Sequence, residues 1–188
     1  MPVSEATYQA IVLEESDDTW ELVCGHLRKK PTMTQSHRDA TTELSYMLRG
    51  QLSPEEFKIS NNHSRARLPS GEYFVPDIAV IPAALAGPTR GGGREIDAYA
   101  EPLPLIVEVW SPSTGDYDVS TKLPGYKSRG DLEIWILHPY RVELTVWRLQ
   151  TNGSYTEHLY GAADTVEIST LPGVRIHVGS VCRLSLDD

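Results

Sequence analysis

A mixed α/β domain is what this sequence predicts, and three observations carry it. Apolar residues run almost unbroken through Leu105–Trp110, the pattern of a central strand covered on both faces. Ala40, Leu44, Met47 and Leu48 recur at helical spacing within 36–50, which makes that segment the best helix in the chain. Between 103 and 137 the order strand, turn, helix, strand reads as a β–α–β unit.

The elements follow in order. Ala6–Leu13 predicts a short helix. Residues 20–24 and 27–30 predict two strands joined by a hairpin turn at Gly25-His26. Ser36 with Asp39 resembles a capping box at the start of the 36–50 helix. Phe57–Ser60 predicts a short strand, and 61–72 is polar and turn-rich. Tyr73–Ile81 predicts one strand whose edge or start is marked by Pro76. The stretch 86–94, with Thr89-Arg90-Gly91-Gly92-Gly93-Arg94, predicts a flexible loop. Thr121–Arg129 predicts a helix with Pro124 in its first turn and Gly130 as its stop. Leu132–Leu137 predicts a strand, His138-Pro139-Tyr140 a turn, and 142–149 a half-exposed strand. Asn152-Gly153 turns the chain into 154–160, and short strands follow around 166–168 and 174–176.

At 188 residues, with 40% apolar and 23% charged side chains, the chain is long enough for one domain, 1–188, with a full core. The cysteines, Cys24 and Cys182, match no metal spacing and point to a reducing, cytoplasmic setting. The N-terminal residues lack a basic region followed by an apolar run, so no signal peptide is expected. No apolar run approaches the roughly 18 residues of a membrane span.

A net charge of -9 argues against non-specific coating of nucleic acid. The charge is uneven: 1–21 holds six acids and no Lys or Arg, whereas 22–38 holds Arg28, Lys29, Lys30 and Arg38 and no acid.

The candidate site is read from strand ends. Glu108 sits within the apolar run 103–109, and a buried carboxylate needs a cation as partner. Asp77 sits in a second apolar stretch, and Asp118 and Lys122 lie downstream. Two acids and a lysine form a set that holds a divalent ion and aims water at a phosphate. The alternative for Glu108 is a buried salt bridge to Lys122. His37 reads as a helix-start residue, and Trp110, Trp135 and Trp147 as core or interface.

Taken together, Pro76-Asp77, Glu108-Val109-Trp110-Ser111-Pro112-Ser113-Thr114, Asp118, Lys122, Tyr126 and Glu133-Ile134-Trp135-Ile136-Leu137-His138-Pro139 resemble the Uma2 family. Glu21-Leu22-Val23-Cys24-Gly25-His26-Leu27, His37 and Leu171-Pro172-Gly173-Val174 extend the likeness over most of the chain. That family is placed in the PD-(D/E)xK nuclease superfamily. The resemblance implies a restriction-endonuclease-like mixed sheet flanked by helices, with additional β-hairpins. It implies that Asp77 and Glu108, with the Val109 carbonyl, hold one Mg²⁺ or Mn²⁺. Lys122 then serves as a migrated catalytic lysine and Glu21 as an auxiliary acid. Two positions depart from the pattern: Trp110 stands where the superfamily lysine belongs, and His26 stands where a Glu is common.

The function so implied is a Mg²⁺-dependent endonuclease acting on phosphodiester bonds in DNA. One alternative is a nuclease-fold binding or accessory protein without cleavage of its own. Another is an enzyme of RNA or a different phosphate ester. A homodimer is expected, from Trp147 and Tyr160 on strands that read as half-exposed.

Overall fold

The structure is a computed structural model that describes residues 2–14, 18–86 and 95–182. In chain order the elements are α1 (Glu5–Leu13), β1 (Trp20–Val23), β2 (His26–Lys29), α2 (Gln35–Arg49), β3 (Phe57–Asn61), β4 (Arg65–Arg67), β5 (Tyr73–Phe74), β6 (Ile78–Pro82) and α3 (Ala83–Ala86). There follow β7 (Ala98–Tyr99), β8 (Leu105–Val109), α4 (Gly115–Tyr117), a π-helical turn (Asp118–Lys122) and α5 (Leu123–Arg129). The chain then forms β9 (Glu133–His138), β10 (Glu143–Leu149), β11 (Tyr155–Tyr160), β12 (Thr165–Glu167), β13 (Arg175–His177) and α6 (Val178–Val181).

The main sheet has six strands in the order β11-β10-β9-β8-β6-β3. β8 and β9 run parallel, the pairing the β–α–β unit requires, and the other neighbours are antiparallel. Leu105, Val107 and Val109 of β8 face one core with Leu44 and Leu48 of α2, Val166 and Ile176 of the C-terminal strands, and Val174 just before β13. Ile106 faces the other core, with Leu123 and Tyr126 of α5 and Phe74 of the second sheet. Both faces of β8 are therefore covered, which explains its unbroken apolar run.

The second sheet, β2-β1-β5-β4-β7, carries the N-terminal hairpin. The hairpin turns on Cys24 and Gly25, both at positive φ (48° and 73°), rather than on Gly25-His26; His26 already pairs with Val23. Helix α2 is capped by Thr34, whose hydroxyl accepts from the His37 N–H, rather than by the Ser36–Asp39 box. The polar stretch 61–72 contains a strand, β4, paired on both sides, with β5 and with β7, despite its charge.

The expected strand 73–81 is two strands in two sheets. Tyr73 pairs with Leu22 in the second sheet, whereas Ile78 pairs with Val107 in the main one. Pro76 lies between them and lacks the N–H a continuous ladder needs. The helix expected at 121–129 begins earlier, at Gly115, and passes through the π-helical turn. Gly115 is required there: a Cβ would lie 1.8 Å from Trp110 Nε1. Trp147 is buried, its indole N–H donating to Glu157 Oε2 at 2.8 Å and its ring beneath the Lys127 ammonium. It is thus satisfied within the chain, and only Tyr160 of the pair remains half-exposed. The expected Gly- and Arg-rich loop lies, from 87 to 94, outside the described residues.

Candidate active site

The crossover between the two sheets builds the site. Val75 and Pro76 carry the chain from β5 to β6 and leave Asp77 one residue before β6 begins. Antiparallel pairing of Ile78 with Val107 sets the start of β6 beside the end of β8. Asp77 Oδ2 therefore accepts a 2.7 Å hydrogen bond from the Val109 N–H, the residue after Glu108. Glu108 shares the face of β8 that looks toward α5, and its Oε1 accepts from Tyr126 Oη at 2.5 Å and Lys122 Nζ at 3.1 Å.

Lys122 lies at the centre of the acids. Its ammonium meets Glu21 Oε1 at 2.9 Å, Glu108 Oε1 at 3.1 Å and Asp118 Oδ1 at 3.7 Å, and donates to the Val75 carbonyl at 3.1 Å. The π-helical turn puts Asp118 and Lys122 on one side, both facing inward; such turns recur at functional sites. Glu21, from β1, completes the set: it accepts from the Val75 N–H at 2.8 Å and from Tyr117 Oη at 3.0 Å. Asp77, Glu108, Lys122 and Glu21 thus meet in one pocket, and each is at most 2% exposed. Of Val109, it is the N–H that meets Asp77.

Burial pushes every carboxyl here upward, and the cations decide which ones stay up. Asp77 has a lysine of its own, Lys30, at 2.8 Å from Oδ1, and His37 Nε2 at 2.9 Å from Oδ2. These outweigh its burial and hold it well below the usual carboxylate range. Glu21 is also held low, its burial overcome by Lys122, Lys30 and the Val75 N–H. Glu108 and Asp118 share Lys122 with Glu21, so burial wins: Glu108 is pushed up to about 8, with Asp118 and Asp77 adding to the effect, and Asp118 is raised. The same acids hold the Lys122 ammonium well above its ordinary value despite its burial. With its three N–H donors directed at Val75, Glu108 and Glu21, Lys122 is a fixed cation and not a proton acceptor.

Among the described residues, no three His, Cys, Asp or Glu side chains form a group ready to hold a metal ion. The donor chemistry nevertheless suits a hard divalent cation. Glu21, Asp77, Glu108 and Asp118 all line one pocket, and Mg²⁺ takes one or two carboxylates and fills its remaining positions with other oxygens and water. What stands in the way is that lysines cover the carboxylates' inner faces.

Sequence reading gave no site role to four groups that the structure places there. Lys30 pairs with Asp77, His37 is buried against it, Tyr126 bonds Glu108, and Arg28 lies 3.2 Å over the Tyr117 ring at the pocket wall. The only signal for Lys30 and Arg28 was the acid-free basic stretch 22–38. His37 does start a helix, but its ring is a partner of the central acid. Trp110 stacks on His138, with ring centroids 4.2 Å apart, and does not fill the lysine's place.

No curated protein matches the chain. Among solved structures, a crystal structure of "a putative nuclease belonging to DUF820" from Anabaena variabilis ATCC 29413 is similar, with TM-score 0.77 and 17% identity over 96% of this chain and 98% of that one. At that identity the likeness shows the fold alone, a mixed α/β fold shared with that protein. The sequence profile of the Uma2 family, described as "Putative restriction endonuclease", matches residues 5–179. With the strand-end acids gathered in one pocket and the profile spanning nearly the whole chain, this protein belongs to the Uma2 family.

Proposed function

We propose that this chain is a divalent-metal-dependent endonuclease that hydrolyses phosphodiester bonds in DNA. The observation that carries the reading is the hydrogen bond from the Val109 N–H to Asp77 Oδ2. It ties the two strand-end acids into one pocket that also holds a buried lysine. Asp77 and Glu108, with the Val109 carbonyl, would hold Mg²⁺ or Mn²⁺. Such an ion neutralises charge on the attacked phosphate and lowers the pKa of an attacking water. Lys122 keeps Glu108 and Glu21 in place and offsets their charge. Arg28, about a third exposed, presents its guanidinium to the pocket, where a phosphate oxygen suits its donors. A two-fold pair of chains would bring one site to each strand of a duplex. Among the described residues no helix is long and apolar enough to cross a membrane.

One observation favours the accessory reading instead. Both oxygens of Asp77 and all three donors of Lys122 are spent inside the protein. A nuclease-fold binder would keep such a network for stability alone.

A single experiment separates the two. Melting is followed with Mg²⁺ or Mn²⁺ added, and single-stranded, duplex and branched DNA and RNA are offered for cleavage. The nuclease reading expects a rise in melting temperature and cleavage of at least one DNA, both lost in Glu108→Gln. At a hundred times the dissociation constant the ion adds about 2.7 kcal/mol. For a chain of this size each kcal/mol is roughly 2–4 °C. Unchanged melting together with intact substrates would leave the accessory reading standing.

A further inference from the structure

Lys30 follows directly on β2 and is held there by a 2.8 Å bond from its backbone N–H to the Thr19 carbonyl. Its side chain turns into the site. The ammonium donates to Asp77 Oδ1 at 2.8 Å, to the Val75 carbonyl at 2.9 Å and to Asn62 Oδ1 at 2.6 Å. Every donor of the group is used, and the side chain is 10% exposed.

Asn62 is shaped for this contact. Its φ is 52°, a left-handed conformation that Asn tolerates better than most residues, and its own N–H is fixed on the Asp77 carbonyl at 3.0 Å. The same Asn therefore braces both the acid and the lysine that neutralises it.

This arrangement conflicts with a divalent ion on Asp77. Oδ2 already accepts from His37 and Val109, and Oδ1 faces the Lys30 ammonium. Four acids face three permanent cations in the pocket, Arg28, Lys30 and Lys122. A divalent ion added to that set makes it net positive, and the departure of one lysine lowers the excess. Lys122 is closed in, 2% exposed among three acids, whereas Lys30 has an exit. A second cavity of about 220 Å³ lies along the same segment, lined by Lys30, Pro31, Thr32, Met33 and Asn62 among others, and shares all but Asn62 of these with the site pocket. The flexible four-carbon stem of lysine spans the two by rotation about its own bonds.

We infer that Lys30 is a displaceable counter-ion: it holds Asp77 until a divalent cation takes its place, and then withdraws from the carboxylate. This rests on the metal-dependent reading of the site, and it adds a residue that sets how tightly and when the ion binds. Metal affinity is then reduced by the fraction of molecules in which Lys30 is still bound.

The direct test is amine acetylation of the full chain, read residue by residue by mass spectrometry, with and without saturating Mn²⁺. Lys30 is expected to be protected without Mn²⁺ and to react about ten-fold faster with it, the gain expected if the released state is about a tenth populated beforehand. Lys29, 56% exposed, serves as the internal control and stays constant. Two variants add calorimetry of Mn²⁺ binding. Lys30→Met is expected to bind about ten-fold tighter. Asn62→Gly keeps the left-handed backbone and the lysine's charge but removes one acceptor, and it is expected to bind several-fold tighter. Mn²⁺ binding with Lys30 still protected would overturn the inference alone. So would an Asn62→Gly protein with unchanged affinity beside a tighter Lys30→Met, since the lysine would then act only through its charge at a distance. Absence of Mn²⁺ binding in the wild type and both variants would overturn the metal-dependent reading together with it.

Discussion

Lys30 and Lys122, far apart in the sequence, share one acceptor: the carbonyl oxygen of Val75, at 2.9 and 3.1 Å. The N–H of the same residue binds Glu21 at 2.8 Å. A single residue in the crossover between the two sheets thus aligns two cations and an acid. Val75 lies between β5 and β6, so its N–H and C=O belong to neither ladder and are free for side chains.

Replacing Lys122 should destabilise the fold strongly. Lys122→Met keeps the volume but leaves Glu21, Glu108 and Asp118 without their shared cation. Breaking a buried ion pair from one side costs about 3–5 kcal/mol. Urea denaturation measures it, and adding Glu108→Gln to Lys122→Met should recover part of the loss. A Lys122→Met protein as stable as the wild type would show that the cluster reorganises without its lysine.

Tyr126→Phe removes the 2.5 Å hydrogen bond to Glu108 Oε1 while keeping the ring that packs edge-on against Phe74. Loss of a buried bond to a carboxyl is expected to cost about 1–3 kcal/mol. Thermal or urea melting checks it; a change under half a kcal/mol would mean that Lys122 alone satisfies Glu108.

Gly115→Ala drives a methyl into the Trp110 indole, whose Nε1 lies 1.8 Å from the ideal Cβ position. Overpacking of this kind costs about 1–3 kcal/mol. The displaced indole should also leave its stack on His138, visible as a shift in tryptophan emission. Unaltered emission and stability would show that the α4 turn moves instead of the ring.

Alkaline stability should depend on Tyr155. Burial, aided by the Asp131 carboxylate and opposed by Arg129, pushes its hydroxyl up to about 12, against 10.0 for an ordinary tyrosine. The folded chain holds the proton more tightly than the unfolded one, so the stabilisation is complete below about pH 10 and is lost as the pH rises toward 12. Tyr155→Phe gives up the 2.7 Å bond to the Asp131 carbonyl, about 0.5–1.5 kcal/mol at neutral pH. In exchange its stability should fall less steeply between about pH 10 and 12. Parallel curves for the two proteins across that window would remove Tyr155 from the alkaline transition, leaving Tyr8, raised to about 12 by its burial, to account for it.

Sequence pattern was enough to read the central strand, the helix over α2, the β–α–β unit and the acids at the strand ends. Local pattern suffices for these: a strand covered on both faces must be apolar along its length, so a Glu within it stands out. Tertiary structure alone decided that 73–81 is shared between two sheets. A proline permits a break, but which strand each half joins is settled by pairing with Leu22 and with Val107, each many residues away. Tertiary structure also decided the cations. Lys30 and His37 reach Asp77 from 47 and 40 residues away along the chain, and no periodicity records a contact of that range. A lysine's charge is legible in sequence, but its partner is chosen by the packing that buries it, because only burial makes an unpaired charge too costly to leave.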